Sequence, residues 1–225
     1  MHMAISETEH KFGKDGIPRP YYGNTIISHI GDENKQAWEA ADWFQEQLKK
    51  TSFAQNLAFL PKDSFHMTIL ALCRHIDRET DRWPKGISRE ARFPEIDRIL
   101  KEKVDSVLPL GPVCMKIDHC DPTKIYLCLK DEENDRILRS FRDRVSELTG
   151  IHHPNHEKFR FHISVSYKFK PFTEEQQAEC DRLCEEATKV LLERVEPFWV
   201  PEPSFVVFND MLSFHPELSK RGELY

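Results

Sequence analysis

Phe159-Arg160-Phe161-His162-Ile163-Ser164-Val165-Ser166-Tyr167 alternates between apolar and polar residues along its whole length. Side chains at i and i+2 of an extended strand share a face. Phe159, Phe161, Ile163, Val165 and Tyr167 are therefore expected to enter a core, with Arg160, His162, Ser164 and Ser166 opposite. The polar face sets an imidazole two positions from a hydroxyl, with a guanidinium two positions before it. An earlier stretch, Phe65 to Leu72, repeats the pattern: Phe65, Met67, Ile69 and Ala71 on one side, His66 and Thr68 on the other.

His66 and His162 stand 96 residues apart, far enough for each to belong to its own βαβ-like unit. The elements around them are legible from periodicity and turn chemistry. Tyr22 to Ile30 reads as a strand broken by Gly31-Asp32. A helix follows to about Lys50, with Ala37, Ala41, Phe44 and Leu48 on one face. Phe53 to Leu60 is a weaker strand, and residues 73–93 read as a long excursion loop of the kind that is often functional. Ile96, Ile99, Leu100, Val104 and Val107 mark a second helix. Val113 to His119 and Ile125 to Leu129 form a hairpin about Asp121-Pro122. Ile137 to Leu148 is a third helix closed by Gly150. Thr173-Glu-Glu-Gln176 has the form of a capping box opening a fourth helix to about Arg194, and Phe205 to Phe208, extendable to Phe214, supplies a last strand. The order β-α-β-β-α-β-β-α-β-α-β is an α+β pattern. Residues 1–20 read as an arm, 21–215 as one bilobed domain and 216–225 as a tail.

Hydrolysis of a phosphodiester needs a base for the water proton and an acid for the departing alkoxide. Histidine suits both, because its ordinary pKa near 6.5 keeps both protonation states accessible at neutral pH. Each such transfer is typically worth about 10²–10⁴-fold. Thr68 and Ser164 hydroxyls can donate to the non-bridging oxygens as charge develops there. One histidine and one hydroxyl per strand, twice over, is a complete minimal set.

Phe65-His66-Met67-Thr68-Ile69 and Phe161-His162-Ile163-Ser164-Val165 together resemble the paired motifs of the two-histidine (2H) phosphoesterase superfamily. The resemblance runs from about residue 20 to 215. It implies a bilobed α+β fold with pseudo-symmetric halves around a central cleft. It also implies metal-independent hydrolysis of a small nucleotide or RNA-end substrate such as a 2′,3′-cyclic phosphate. Catalysis would fall to His66, Thr68, His162 and Ser164. The residue 73–93 loop and the N-terminal arm match no familiar member, so a divergent branch is expected. RNA 2′,5′ end-joining on the same scaffold is the runner-up, and a non-catalytic module that binds a phosphorylated ligand is the rival from another class.

Three further positions are candidates for substrate binding. Arg160 could hold phosphate, or be a solvated strand residue. Tyr126, on the non-core face of its strand beside Lys124 and Cys128, could stack on a base, or be a partly exposed sheet tyrosine. Asn24 shares a strand face with Tyr22 and could contact a base or sugar. His152-His-Pro-Asn-His156-Glu157 suggests a metal site, but Pro154 interrupts it and the one-face spacing of helical zinc motifs is missing. A His-rich turn is the expectation, with no metal and no cofactor. His29, His75, His119 and His215 are uninformative taken singly.

A net charge of −6 with dispersed Lys and Arg argues against long duplex nucleic acid as a partner. A small phosphodiester, a nucleotide or an RNA end remains compatible. The six cysteines form no paired knuckle, and Cys180 and Cys184 fall at i, i+4 on a helix, so buried reduced thiols are expected. No apolar run approaches the roughly 20 residues that cross a bilayer, and the N-terminus lacks the apolar centre of a secretory signal. A cytoplasmic monomer without membrane contact is the expectation.

Overall fold

The computed structural model describes residues 8–80 and 82–222. The ends of the arm and tail, 1–7 and 223–225, lie outside the described residues. An α+β architecture is present, as the element order implies. Nine strands are found among the described residues: β1 (Gly23–His29), β2 (Leu57–Phe59), β3 (His66–Arg74), β4 (Val113–Asp121), β5 (Lys124–Leu129), β6 (His162–Ser164), β7 (Ser166–Lys168), β8 (Phe198–Val200) and β9 (Ser204–Phe208). Seven of them form a sheet in the order β8-β4-β5-β6-β3-β1-β9, every neighbouring pair antiparallel. β2 and β7 make a separate two-stranded sheet. The main helices are α1 (Lys35–Leu48), α2 (Phe93–Asp105), α3 (Glu132–Thr149) and α4 (Glu174–Arg194). Among the described residues no helix is long and apolar enough to cross a membrane.

The main core lies between the sheet and the helices. Ala37, Ala41, Phe44 and Leu48 from α1, Ile96, Leu100 and Val104 from α2, and Leu138, Phe141 and Val145 from α3 pack there with Met67, Ile125 and Ile163 from the strands. Two helix ends are those expected from the sequence. Thr173 and Gln176 close a reciprocal capping box at the start of α4. Gly150 ends α3 at φ +70°, a left-handed geometry that glycine adopts without strain. A methyl group at Gly150 would also collide with Lys85, whose backbone N–H donates to Thr149 O at 3.0 Å.

Four elements differ from the sequence expectation, one of them β8, a strand that the predicted order lacks. The long alternating strand is split at Val165. β6 stays in the large sheet, while β7 leaves to pair with β2. Ser166 is thereby buried rather than facing the cleft, its hydroxyl donating to Pro122 O at 2.7 Å. The weak strand after Phe53 begins only at Leu57, because Ala54–Asn56 forms a 3-10 turn. The last strand stops at Phe208; the chain then doubles back, and His215 pairs with Val207 through two 2.8 Å backbone bonds.

Residues 75–92 do form a loop, but a tightly tied one. Asp77, fully buried, accepts from Arg74 Nε and Nη2 at 2.7 and 2.8 Å and pairs with Arg82 at 3.3 Å. Trp83 is buried, and its indole N–H donates to Ile87 O at 3.0 Å. This loop leaves β3 at Arg74, eight residues from His66, which is about 26 Å along a strand. The same end of the sheet is locked by Arg221. Its guanidinium donates to both oxygens of the buried Asp97 at 2.7 and 2.8 Å, and to the carbonyls of Phe208 and Gly23. All six cysteines are free; five are buried and Cys128 is half-buried.

Candidate active site

Met67 on β3 and Ile163 on β6 are cross-strand partners, and both are fully buried. Their side chains point into the helix-covered core, so their neighbours must point out of the opposite face. Antiparallel pairing about this couple sets Thr68 across from His162 and His66 across from Ser164. Directly opposed residues hold their Cβ atoms about 4.5–5.5 Å apart. Each imidazole is thus flanked by the hydroxyl of its own strand and by that of the other.

The same face extends across the neighbouring strands. On β5, Tyr126 pairs with His162 and Lys124 with Ser164. On β1, Ile27 pairs with Thr68 and His29 with His66. β4 continues the rows, with His119 opposite Tyr126 and Asp121 opposite Lys124.

Both catalytic-type histidines are held in the same way. His66 Nδ1 lies 2.7 Å from Ser64 O, and His162 Nδ1 lies 2.8 Å from Arg160 O. A carbonyl only accepts, so each Nδ1 carries the proton and each Nε2 presents its lone pair outward. In both cases the carbonyl belongs to the residue two positions before the histidine. Burial pushes both pKa values down to about 4, although each residue as a whole is only half-buried. At His66 the carbonyl of Ser64 opposes the fall and the His29 imidazole adds to it. At His162 the Lys124 ammonium is the next cause after burial and acts in the same direction.

A pH dependence follows. Acid–base chemistry between the two rings would need one imidazole charged and one neutral, and in the free protein that state is most populated near pH 4. The value of kcat/KM reports the free protein, so it should fall about tenfold per pH unit on the alkaline side, between pH 5 and 8. A bound phosphodiester anion favours the charged imidazole, so the optimum of kcat should lie at higher pH than that of kcat/KM. Parallel pH profiles of kcat and kcat/KM measure this. Coincident optima near pH 7 would contradict it.

Aromatic rings wall the pair on both sides. Phe214, from the returning segment after β9, packs on the His66 ring at 4.2 Å between centroids. Tyr126 meets the His162 ring edge-on at 5.8 Å and stacks on His119 at 4.5 Å with an interplanar angle of 13°. Arg160 lies over Tyr126 at 4.2 Å, donates to His119 Nε2 at 3.1 Å and pairs with Asp118 at 3.6 Å. Its exposed guanidinium sits at the rim.

Of the seven residues singled out by sequence, the structure brings together His66, Thr68, His162 and Ser164, with Tyr126 beside them and Arg160 at the edge. Asn24 is not among them. It is fully buried, its amide donating to Asp97 Oδ1 at 2.8 Å and its carbonyl accepting from Cys73 N–H at 2.9 Å. Both ends of the side chain are engaged inside the sheet, so it offers nothing to a ligand. Lys124, His29, His119 and Phe214 went unassigned. Strand alternation around Tyr126 carried a signal for Lys124, whereas alternation from Ile117 points His119 toward the core and the irregularity between Ile117 and His119 brings it opposite Tyr126. Nothing local could have placed Phe214.

The His152–Glu157 segment packs against α3 and β3. His156 is buried with Nε2 at 2.8 Å from Asp143, and His153 donates to Ala71 O at 2.9 Å. His152 Nδ1 lies 3.3 Å from the Ser146 hydroxyl. Among the described residues no three His, Cys, Asp or Glu side chains converge as metal ligands do.

An antiparallel sheet whose two central strands each present a histidine and a hydroxyl on one open face is the arrangement that the sequence resemblance implies. The chain belongs to the 2H-phosphodiest family, described as a domain of unknown function (DUF1868), which matches residues 11–126. That span holds the first motif and reaches Tyr126; the second motif lies beyond it. A conserved protein of unknown function from Agrobacterium tumefaciens, ATU0111, shares the fold at TM-score 0.86 and 24% identity, over 92% of this chain and 90% of its own. Two further structures align at lower similarity. Escherichia coli LigT complexed with phosphate gives TM-score 0.44 at 10% identity, over 84% and 88% of the two chains. TT0787 of Thermus thermophilus gives 0.42 at 16%, over 81% and 86%. No curated protein matches.

Proposed function

We propose that the chain is a metal-independent phosphodiesterase acting on a small nucleotide or RNA-end substrate, such as a 2′,3′-cyclic phosphate. The observation that carries this reading is the Met67–Ile163 register, which sets two imidazoles and two hydroxyls side by side on one face. Family membership supports phosphodiesterase-type hydrolysis in general. In the proposed reaction one Nε2 takes a proton from water as the new P–O bond forms. The other, protonated, gives its proton to the alkoxide as the old P–O bond breaks. Thr68 and Ser164 donate to the non-bridging oxygens. Tyr126 offers a ring on which a base can stack, and Arg160 a rim cation for a flanking phosphate. Both proton transfers are supplied by imidazole, so the chemistry asks nothing of a metal.

The proposal includes two lobes related about the Met67–Ile163 couple, within a divergent branch of the superfamily. It also takes residues 21–215 as the catalytic unit, with 1–20 and 216–225 as flanking segments, in a cytoplasmic monomer. The test is turnover of the four 2′,3′-cyclic nucleotides with excess chelator. Chelator-resistant opening of at least one ring is expected. Nucleotide-dependent thermal stabilisation without product would favour a binding module instead, and activity abolished by chelator would sink the metal-independent mechanism. Joining of 2′,5′ ends would show as ligated product from RNA ends.

A further inference from the structure

The face that carries the two motifs is symmetric at its centre and unsymmetric at its flanks. About the Met67–Ile163 couple, His66 corresponds to His162 and Thr68 to Ser164. Carried one strand further, the same relation sets Ile27, beside Thr68, against Lys124, beside Ser164. One position is a buried aliphatic side chain and the other a half-buried ammonium. At this pair of related positions the Ser164 side has a cation and the Thr68 side has none.

Lys124 lacks a dedicated carboxylate. Asp121, its cross-strand neighbour on β4, has Oδ1 taken by the N–H and hydroxyl of Thr123 at 2.8 and 2.7 Å. Among the described residues Lys124 forms no ion pair within 4 Å, and its amino group lies 5.8 Å from the Tyr126 ring centre. Its charge is nonetheless felt at His162, where it is the largest electrostatic influence after burial. A half-buried ammonium beside the second histidine motif, with no carboxylate paired to it, favours an anion that joins it.

We infer that Lys124 is a third phosphate-contacting residue, acting with Ser164 on one non-bridging oxygen and stabilising the charge gained in the transition state. This rests on the phosphodiesterase reading above and deepens it. A phosphodiester carries one negative charge; attack by the deprotonating water brings a second onto the phosphoryl oxygens before the alkoxide leaves with its proton. Lys124 exchanges no proton and makes no bond to phosphorus. Its charge counts most at the moment the second negative charge appears, so its loss should lower kcat more than it raises KM.

The test compares parent, Lys124→Met and Lys124→Arg. Turnover is followed on whichever cyclic nucleotide the parent opens, and inorganic phosphate affinity is measured by calorimetry. Loss of a single oxyanion-stabilising group typically costs about 10²–10³-fold in kcat. For Lys124→Met a loss in that range is expected, with KM changed less than fivefold and phosphate affinity weakened about tenfold. Lys124→Arg should recover most of both. Thermal melting within about 2 °C of the parent would show that the sheet is intact, since Lys124 lies on the open face. A Lys124→Met protein with kcat and phosphate affinity both within threefold of the parent would overturn the assignment. If His66→Ala and His162→Ala are inactive while Lys124→Met is not, the lysine role fails and the phosphodiesterase reading stands. If the parent opens no cyclic phosphate, that reading fails. Phosphate affinity still decides the lysine, with equal binding by parent and Lys124→Met overturning it.

Discussion

His66→Ala and His162→Ala should each lower kcat by about 10³-fold or more, with the double variant little worse than either alone. The magnitude combines a lost proton transfer, typically about 10²–10⁴-fold, with a lost contact to the phosphate. Strong non-additivity is expected because the two imidazoles act in one step: once either proton transfer is missing, the other has little to act upon. The fold should survive. Both rings lie on the open face, and the Met67–Ile163 couple that sets the register is untouched by either change. Phe214 loses its partner in His66→Ala and Tyr126 its edge contact in His162→Ala, so a small fall in melting temperature is expected in each. Steady-state turnover and thermal melts on the same preparations decide the matter. Two variants as active as the parent would remove both histidines from the mechanism.

Arg221→Ala should be the most destabilising single change outside the apolar core. Arg221 and Asp97 are almost wholly buried and joined by two hydrogen bonds of 2.7 and 2.8 Å. Removing the guanidinium strands the Asp97 carboxylate with only the Asn24 amide, and it frees the carbonyls of Gly23 and Phe208. Breaking a buried pair from one side costs about 3–5 kcal/mol. At about 2–4 °C per kcal/mol for a chain of this size, the melting temperature should drop by roughly 6–20 °C. Arg221→Lys should rescue little, because one ammonium cannot reproduce the forked contact to Asp97 and the two carbonyls. Replacing both partners by apolar residues, as in Asp97→Leu with Arg221→Met, should recover a good part of the loss. An Arg221→Ala protein that melts with the parent would show that this pair does not secure the β1–β9 end.

What the sequence disclosed and what it hid divide along a physical line. Periodicity located β3, β6 and all four long helices, and the alternation around His66 and His162 named the central residues. These depend on local geometry, where i and i+2 suffice. Asn24 shows the limit: alternation gives its face, but only the tertiary position of Asp97, 73 residues away, shows that its amide is already taken. Lys124 was visible as a neighbour of Tyr126, yet its meaning depends on register with Ser164 across two strands. The break at Val165 is likewise non-local. The composition of residues 159–167 favours one continuous strand, and pairing with β2 overrides it. Arg142 is a further case. This arginine of α3 is fully buried against the strands, donating to the carbonyls of Ile69 and His156 and lying 4.6 Å from the Phe159 ring, and nothing in the helical pattern marks it as buried.

The separation of β7 from β6 bears on how the protein can move. The first motif is entered from β2 and the second is left through β7, and these two flanking segments pair with each other. Gln45 of α1 adds a rivet, its amide donating to the carbonyls of Leu60 and Val165 at 2.8 and 3.0 Å. The two histidine strands are thus joined along the large sheet and again by a clasp at their ends. A molecule hinged between lobes would have to tear both ladders to open. With both ladders kept, a ligand is met by groups already in position, and selectivity comes from the shape and charge of the open face.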